Sequence, residues 1–196
     1  MPYTVTEELV SKFRQLEKDE RQGIVVRTAR VVLGTSVIRV FEKQTTEDLF
    51  AALKQIPVER LAKCQTQAKF DEFFFDALEL VDKAILKKNR NRKSVGNGHK
   101  WGQGIKVLCL FLRDLVRYSS YFEPRTAKRI EQFLYVPIDS IVMKHLRACK
   151  IPLKPSAIKD IDSLGEFRAI QDVLTQAAEK ANVARILFDE VWSENR

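Results

Sequence analysis

The chain of 196 residues is predicted to be an all-α protein, on three observations. Apolar residues recur at helical spacing in "FDEFFFDALELVDKAIL", where Phe70, Phe73, Phe74, Ala77, Leu78, Val81 and Ile85 trace one face. Helix-start residues stand before several such runs, as Ser163 does before "LGEFRAIQDVLTQAAEKA". There is no βαβ alternation and no internal repeat. Hydrophobic residues make up 45% of the chain and include twelve phenylalanines, enough to bury a substantial interior. The expectation is one helical domain over 1–196, with N-terminal helices in 1–86. A basic segment, a hairpin and the candidate catalytic helices fill 87–149, and C-terminal helices occupy 150–196. Two small lobes flanking a cleft are compatible with this order.

In "TVTEELVSKFRQLEKDE", Thr4 and Glu7 are spaced as a capping box, and Leu9, Phe13 and Leu16 share a face. Residues 24–42 admit two readings. Their β-branched content and Gly34-Thr35 suit a hairpin, whereas Val25, Ala29, Val32, Val37, Val40 and Phe41 form a helical stripe; a helix is expected. "TTEDLFAALKQI" forms a short helix ended by Pro57, and "VERLAKC" adds a turn or two. After "KKNRNRK" and the glycine-rich "SVGNGHKWGQG", a helix restarts near Ile105 and runs to about Tyr118. "EPRTAKRIEQF", "IDSIVMKHLRAC" and "RILFDEVW" supply further short helices.

No apolar run reaches the length of a membrane span, and the first residues lack a basic-then-apolar export signal, so an intracellular setting is expected. Cys64, Cys109 and Cys149 are isolated and lack CxxC spacing, which points to reduced thiols rather than zinc or disulfides. The formal charge of +8 and a pI near 9.4 favour anionic partners, nucleic acid first. Taken alone, "KKNRNRK" reads as a solvated helix end. Beside it, Gly96, Gly98, Gly102 and Gly104 would let backbone N–H groups approach a phosphate, with His99, Lys100 and Trp101 adding charge and stacking. A P-loop or dinucleotide site is excluded, since no strand precedes the glycines and neither GxGxxG nor GK[ST] occurs.

Lys106 stands near the start of an apolar helix. Alone it is expected to snorkel; drawn inward, it would offer an amine able to form a Schiff base. Asp139 follows Pro137 and precedes "SIVMKHL", which suits a helix cap and equally a carboxylate that takes the lysine proton.

"GQGIK" resembles the GxGxK turn of the helix-hairpin-helix DNA glycosylases, and "VPID" is similar to the segment that presents their catalytic aspartate. The 33-residue separation of Lys106 from Asp139 is most like the archaeal 8-oxoguanine DNA glycosylase branch, as is the C-terminal "FRAIQDVLTQAAEKANVARILFDEVW". The resemblance covers about residues 95–192. It implies an intracellular base-excision DNA glycosylase and AP lyase acting on an oxidised purine in double-stranded DNA, as a monomer. Lys106 would be the nucleophile and Asp139 the carboxylate assisting base departure. Gly102, Gln103, Gly104, Lys100, Lys93, Arg92 and Arg90 would hold DNA, and Asp189 and Trp192 would form the base pocket, here one residue closer together than in that branch. The resemblance calls for no redox cofactor or catalytic metal and allows a monovalent cation on the hairpin carbonyls. The resemblance is also compatible with a non-catalytic helix-hairpin-helix DNA-binding protein, and the basic segment by itself suits a helical module that contacts an acidic protein.

Overall fold

The computed structural model describes residues 6–35, 39, 41–89, 101–149, 155, 157–161 and 163–193. They form α1 (Glu7–Leu33), α2 (Lys43–Gln55), α3 (Gln67–Asn89), α4 (Trp101–Arg117), α5 (Pro124–Glu131), α6 (Ser140–Ala148), α7 (Leu164–Ala181) and α8 (Leu187–Ser193). Short 3-10 turns cover Val58–Lys63 and Ile158–Asp160. The all-α expectation holds: no strand occurs among the described residues. Among the described residues no helix is long and apolar enough to cross a membrane.

α4 is the central element. It packs against α1, α3, α5 and the Ile158–Asp160 turn, and Ile105, Val107, Leu108, Phe111, Leu112 and Leu115 are buried around it. α2 lies across α1 and α3, and α6 packs on α8. An aromatic cluster joins α3, α7 and the chain between α5 and α6. Phe74 stacks on Phe167 at 6.1 Å, and Tyr135 sits edge-on to Phe74 at 4.8 Å and to Phe167 at 5.1 Å. Trp101, in the first turn of α4, meets Phe167 edge-on at 6.4 Å, which ties the start of α4 to α7. Such rings favour tilted and edge contacts because their faces are electron-rich and their edges are not.

Several boundaries differ from the sequence expectation. Thr6, not Thr4, caps α1, its hydroxyl accepting from Leu9 N; Thr4 lies outside the described residues. The helix expected through 24–42 ends at Leu33. Gly34 caps it, donating its N–H to Arg30 O and Val31 O, while Val37 and Val40 lie outside the described residues. α2 starts two residues before Thr45, at Lys43.

The largest correction concerns α4, which begins at Trp101 rather than near Ile105. Gly102 and Gly104 therefore belong to its first turn and not to a glycine loop. A Cβ on Gly102 would lie 2.1 Å from Ile158 O, and one on Gly104 would lie 2.4 Å from Ile85 Cδ1. These glycines admit the 158–161 turn on one side of α4 and α3 on the other. Each costs the helix about 1 kcal/mol relative to alanine, which close packing on both sides offsets.

Candidate active site

Lys106 and Asp139 meet. The Lys106 amine lies 3.5 Å from Asp139 Oδ2, between the second turn of α4 and the N-terminus of α6. Their side chains are 18% and 11% exposed, so the lysine does not snorkel into solvent. Asp139 divides its two oxygens. Oδ1 caps α6, accepting from Ile141 N at 2.9 Å and Val142 N at 3.0 Å, while Oδ2 faces the amine. The two sequence-level roles for this residue thus occur together in one carboxylate. The N-terminal end of α6 adds partial positive charge at the same place.

What fixes Asp139 is the extended segment before it. Gln171 on α7 grips Val136 at both ends: Val136 N donates to Oε1 at 3.0 Å, and Nε2 donates to Val136 O at 2.8 Å. Arg185 donates from Nε to Leu134 O at 2.9 Å and from Nη2 to Phe133 O at 2.6 Å, with its guanidinium 4.2 Å from the Tyr135 ring. Burial pulls the Arg185 pKa down, and the acceptors that hold the guanidinium among the described residues are neutral oxygens. Pro137 cannot donate a backbone hydrogen bond, so the paired groups on Val136 are the last anchor before Ile138 and Asp139. Sequence reasoning named neither Gln171 nor Arg185. For Gln171 a signal existed: a polar residue inside the buried stripe Phe167, Ile170, Leu174 and Ala178.

The remaining expected site residues lie differently. Gly102, Gln103 and Gly104 are buried in the first turn of α4. That turn is helical, so its carbonyls serve the helix instead of a hairpin that would hold a cation. Gln103 Oε1 is buried and, among the described residues, has no hydrogen-bond partner, one turn before Lys106 on nearly the same face. Lys100, Lys93, Arg92 and Arg90 lie outside the described residues, as do Gly96, Gly98 and His99.

Asp189 and Trp192 both lie on α8, which bridges the two helices that carry Lys106 and Asp139, but farther along each. Asp189 is buried and paired with Arg113 Nη1, two turns beyond Lys106 on α4. Arg113 also holds Asp114 at 2.6 Å. Arg117, one turn on, pairs with Glu131 and, at 2.6 Å, with Glu190. Burial raises the Asp114 pKa against the pull of Arg113. Trp192 stacks on His145 of α6 at 4.9 Å with the planes 9° apart, and meets Phe188 at 4.8 Å in a tilted contact. Here, then, the carboxylate and the ring of the expected pocket pair are engaged in joining α8 to α4 and α6.

Chemically, the arrangement offers a primary amine, a carboxylate placed to exchange a proton with it, and a helix N-terminus that favours anions. Compared with protein-family models, with curated proteins and with solved structures, the chain matches none.

Proposed function

We propose that this chain is a DNA glycosylase with AP-lyase activity, acting on an oxidised purine of the 8-oxoguanine kind. The observation that carries it is the inward-turned Lys106 amine, 3.5 Å from Asp139 Oδ2, in a chain of net charge +8. A stacked base hides its sugar carbon, so the nucleotide must first be extruded from the duplex, at a cost of a few kcal/mol offset by phosphate contacts. Asp139 takes a proton from the Lys106 ammonium. The freed nitrogen lone pair then forms a bond to C1′ as the C1′–N bond breaks and its electron pair leaves with the base, which takes up a proton. The bound nitrogen then loses a proton, and its lone pair forms the C=N bond as the C1′–O4′ bond breaks and O4′ takes up a proton, leaving the ring-opened sugar held as an imine. Loss of a C2′ proton expels the 3′ phosphate and cuts the strand. The Asp139 carboxylate also offsets positive charge developing on the sugar.

Borohydride reduction tests this directly, because it converts the imine into a stable protein–DNA adduct. Wild-type protein is expected to be trapped on a duplex containing 8-oxoguanine, and Lys106→Ala to give no adduct. An adduct that persists in Lys106→Ala removes that amine from the reaction.

A second reading is favoured by Asp139's helix cap and by the packing role of Gly102 and Gly104: the ion pair is a structural tie in a DNA-binding protein without catalysis. Asp139→Ser separates the two. Serine is about as good a cap as aspartate, so the α6 cap is kept and any loss of stability reports the broken ion pair to Lys106, which a structural tie predicts. A catalytic carboxylate would be lost, and trapping on lesion DNA would fall at least a hundredfold. Duplex affinity that drops steeply with salt, without base release by the wild type, would establish the second reading instead.

A further inference from the structure

α1 is a helix of 27 residues, yet only its last third, from Ile24 to Leu33, contributes buried side chains. The part from Glu7 to Gln22 projects as an arm of 16 residues, about 24 Å long at 1.5 Å per residue. Its surface is not uniformly polar. At 100° per residue, Leu9, Phe13, Leu16 and Glu20 fall within about 60° of one another. Phe13 is 58% exposed and Leu16 is 65% exposed. The charges off this stripe are tied along the helix, Glu8 to Lys12 and Glu17 to Arg21, each at 2.6 Å. Such pairs add only a few tenths of a kcal/mol each, so they do little to hold a solvated arm of this length in helical form.

Gly23 adds a second, independent observation. It lies inside α1, where glycine costs up to about 1 kcal/mol relative to alanine. Among the described residues nothing requires it: a Cβ there would meet only Arg27 Nη1, at an ordinary 3.5 Å. A glycine on one edge of an apolar stripe, with only the end of a flexible side chain near it among the described residues, suits the close approach of another backbone.

We propose that the α1 arm is a self-association surface, and that its occupant is the same arm of a second copy of this chain, packed antiparallel. The register that buries the stripe sets Phe13 of each copy against Leu16 of the other, and Leu9 against the stem of Glu20. Lys12 and Asp19 flank the stripe on the same side. In this register Lys12 of one copy then faces Asp19 of the other, and the two-fold axis repeats the pair. Gly23 comes opposite Thr6 of the second copy, where its chain enters the helix. A parallel pairing lacks this logic, because it places Glu20 against Glu20 and crowds the two domain bodies at one end. The same face of α1 continues through Arg27 to Val31, which is 62% exposed, so the surface runs on toward the domain. One helix pair covers less surface than a standard stable interface, so association should be weak, in the micromolar range or above. This inference stands apart from the Lys106 chemistry and replaces the expected monomer by a monomer–dimer equilibrium.

Sedimentation equilibrium of the full chain, from about 5 μM to 1 mM at low salt, tests it. A concentration-dependent dimer is expected. Phe13→Glu should abolish it, and Lys12→Asp should weaken it about tenfold or more, since each attractive pair becomes a repulsive one. The double variant Lys12→Asp/Asp19→Lys should restore it, and Lys18→Asp, on the opposite face, should leave it unchanged. Circular dichroism confirms that each variant keeps its helix content; all these positions are exposed, so the fold should survive. A monomer throughout the range overturns the proposal. So does a dimer indifferent to Phe13→Glu, or one that the double charge reversal does not restore. If the wild type is monomeric and Phe13→Glu weakens duplex DNA binding instead, the arm serves nucleic acid and not a second copy.

Discussion

Replacing Gln171 by methionine tests how the candidate site is held. Methionine preserves the length of the side chain and most of its volume but offers neither amide bond. Gln171 is fully buried, and both of its bonds to Val136, at 3.0 and 2.8 Å, are buried as well. The substitution strands one backbone N–H and one C=O in the interior, each costing about 1–3 kcal/mol without water to replace the partner. A loss of about 3–5 kcal/mol is therefore expected, or a fall in Tm of roughly 10 °C or more for a chain of this size. Urea unfolding followed by circular dichroism measures it, with an unchanged m-value showing that the effect is on stability itself. Because Val136 lies three residues before Asp139, the loosened segment should also misplace the carboxylate. A displacement near 1 Å costs about a hundredfold in a positioned reaction, so borohydride trapping should fall although Lys106 is untouched. A loss below 1 kcal/mol would refute the claim that this side chain anchors the segment. Full trapping by a destabilised variant would refute the claim that the anchor positions Asp139.

Gly102→Ala is expected to cost at least about 2 kcal/mol, because its Cβ would lie 2.1 Å from the Ile158 carbonyl and only backbone movement could relieve it. Gly165→Ala is the matched control: among the described residues nothing lies within 4 Å, and a gain of about 0.5–1 kcal/mol is expected by thermal unfolding. Cys109 gives a pH dependence. Burial raises its thiol pKa far above the ordinary value near 9.0, so the folded protein keeps the proton that the unfolded chain releases. The resulting stability is fully present below pH 9 and declines as pH rises further, by about 1.4 kcal/mol per pH unit. Denaturation between pH 8 and pH 10.5 should show a shallower decline in Cys109→Ala than in the wild type, and equal slopes would refute the assignment.

Where the chain's own periodicity decides the structure, the sequence was enough to read it. α7 starts after Ser163 and runs through the expected stretch, because Ser163 caps it and the apolar stripe is continuous. α3 contains all of the phenylalanine face. The Lys106–Asp139 contact was legible only through the resemblance carried by "GQGIK" and "VPID", since the residues alone suggested a lysine that snorkels to solvent. The first turn of α4 was not. Four glycines within nine residues suggest a loop, and the demand that two of them satisfy comes from Ile158 and Ile85, remote in sequence. The stop of α1 was missed because the β-branched run continues past Gly34 with little change in composition. Gln171 and Arg185 act on backbone groups 35 and 51 positions away, and Asp189 meets Arg113 across 76 positions. A single sequence gives the type of such a residue but not the address of its partner.

The charges along α4 distinguish a structural contact from one suited to chemistry. Lys106, Arg113 and Arg117 lie on a single face of the helix, and each meets an acid from another element. Each of the two arginines engages two acids. Arg113 holds Asp114 and Asp189, and Arg117 holds Glu131 and Glu190, with planar forks that make short contacts. That is the pattern of a fold locking α5 and α8 onto α4. Lys106 differs in kind. Its ammonium carries three donors and, among the described residues, has one acceptor, at the outer limit of hydrogen bonding. Its partner oxygen belongs to a carboxylate whose other oxygen is already fixed by two backbone N–H groups. A contact selected for stability alone would gain from arginine at 106, reaching Asp139 with two parallel bonds as its neighbours do. A rigid acid facing a loosely held, mostly buried amine instead leaves donors for a ligand and keeps a proton acceptor within reach. Lys106→Arg weighs these alternatives: a structural tie predicts equal or greater stability with DNA binding intact, whereas the proposed chemistry predicts complete loss of the reducible adduct with the charge retained.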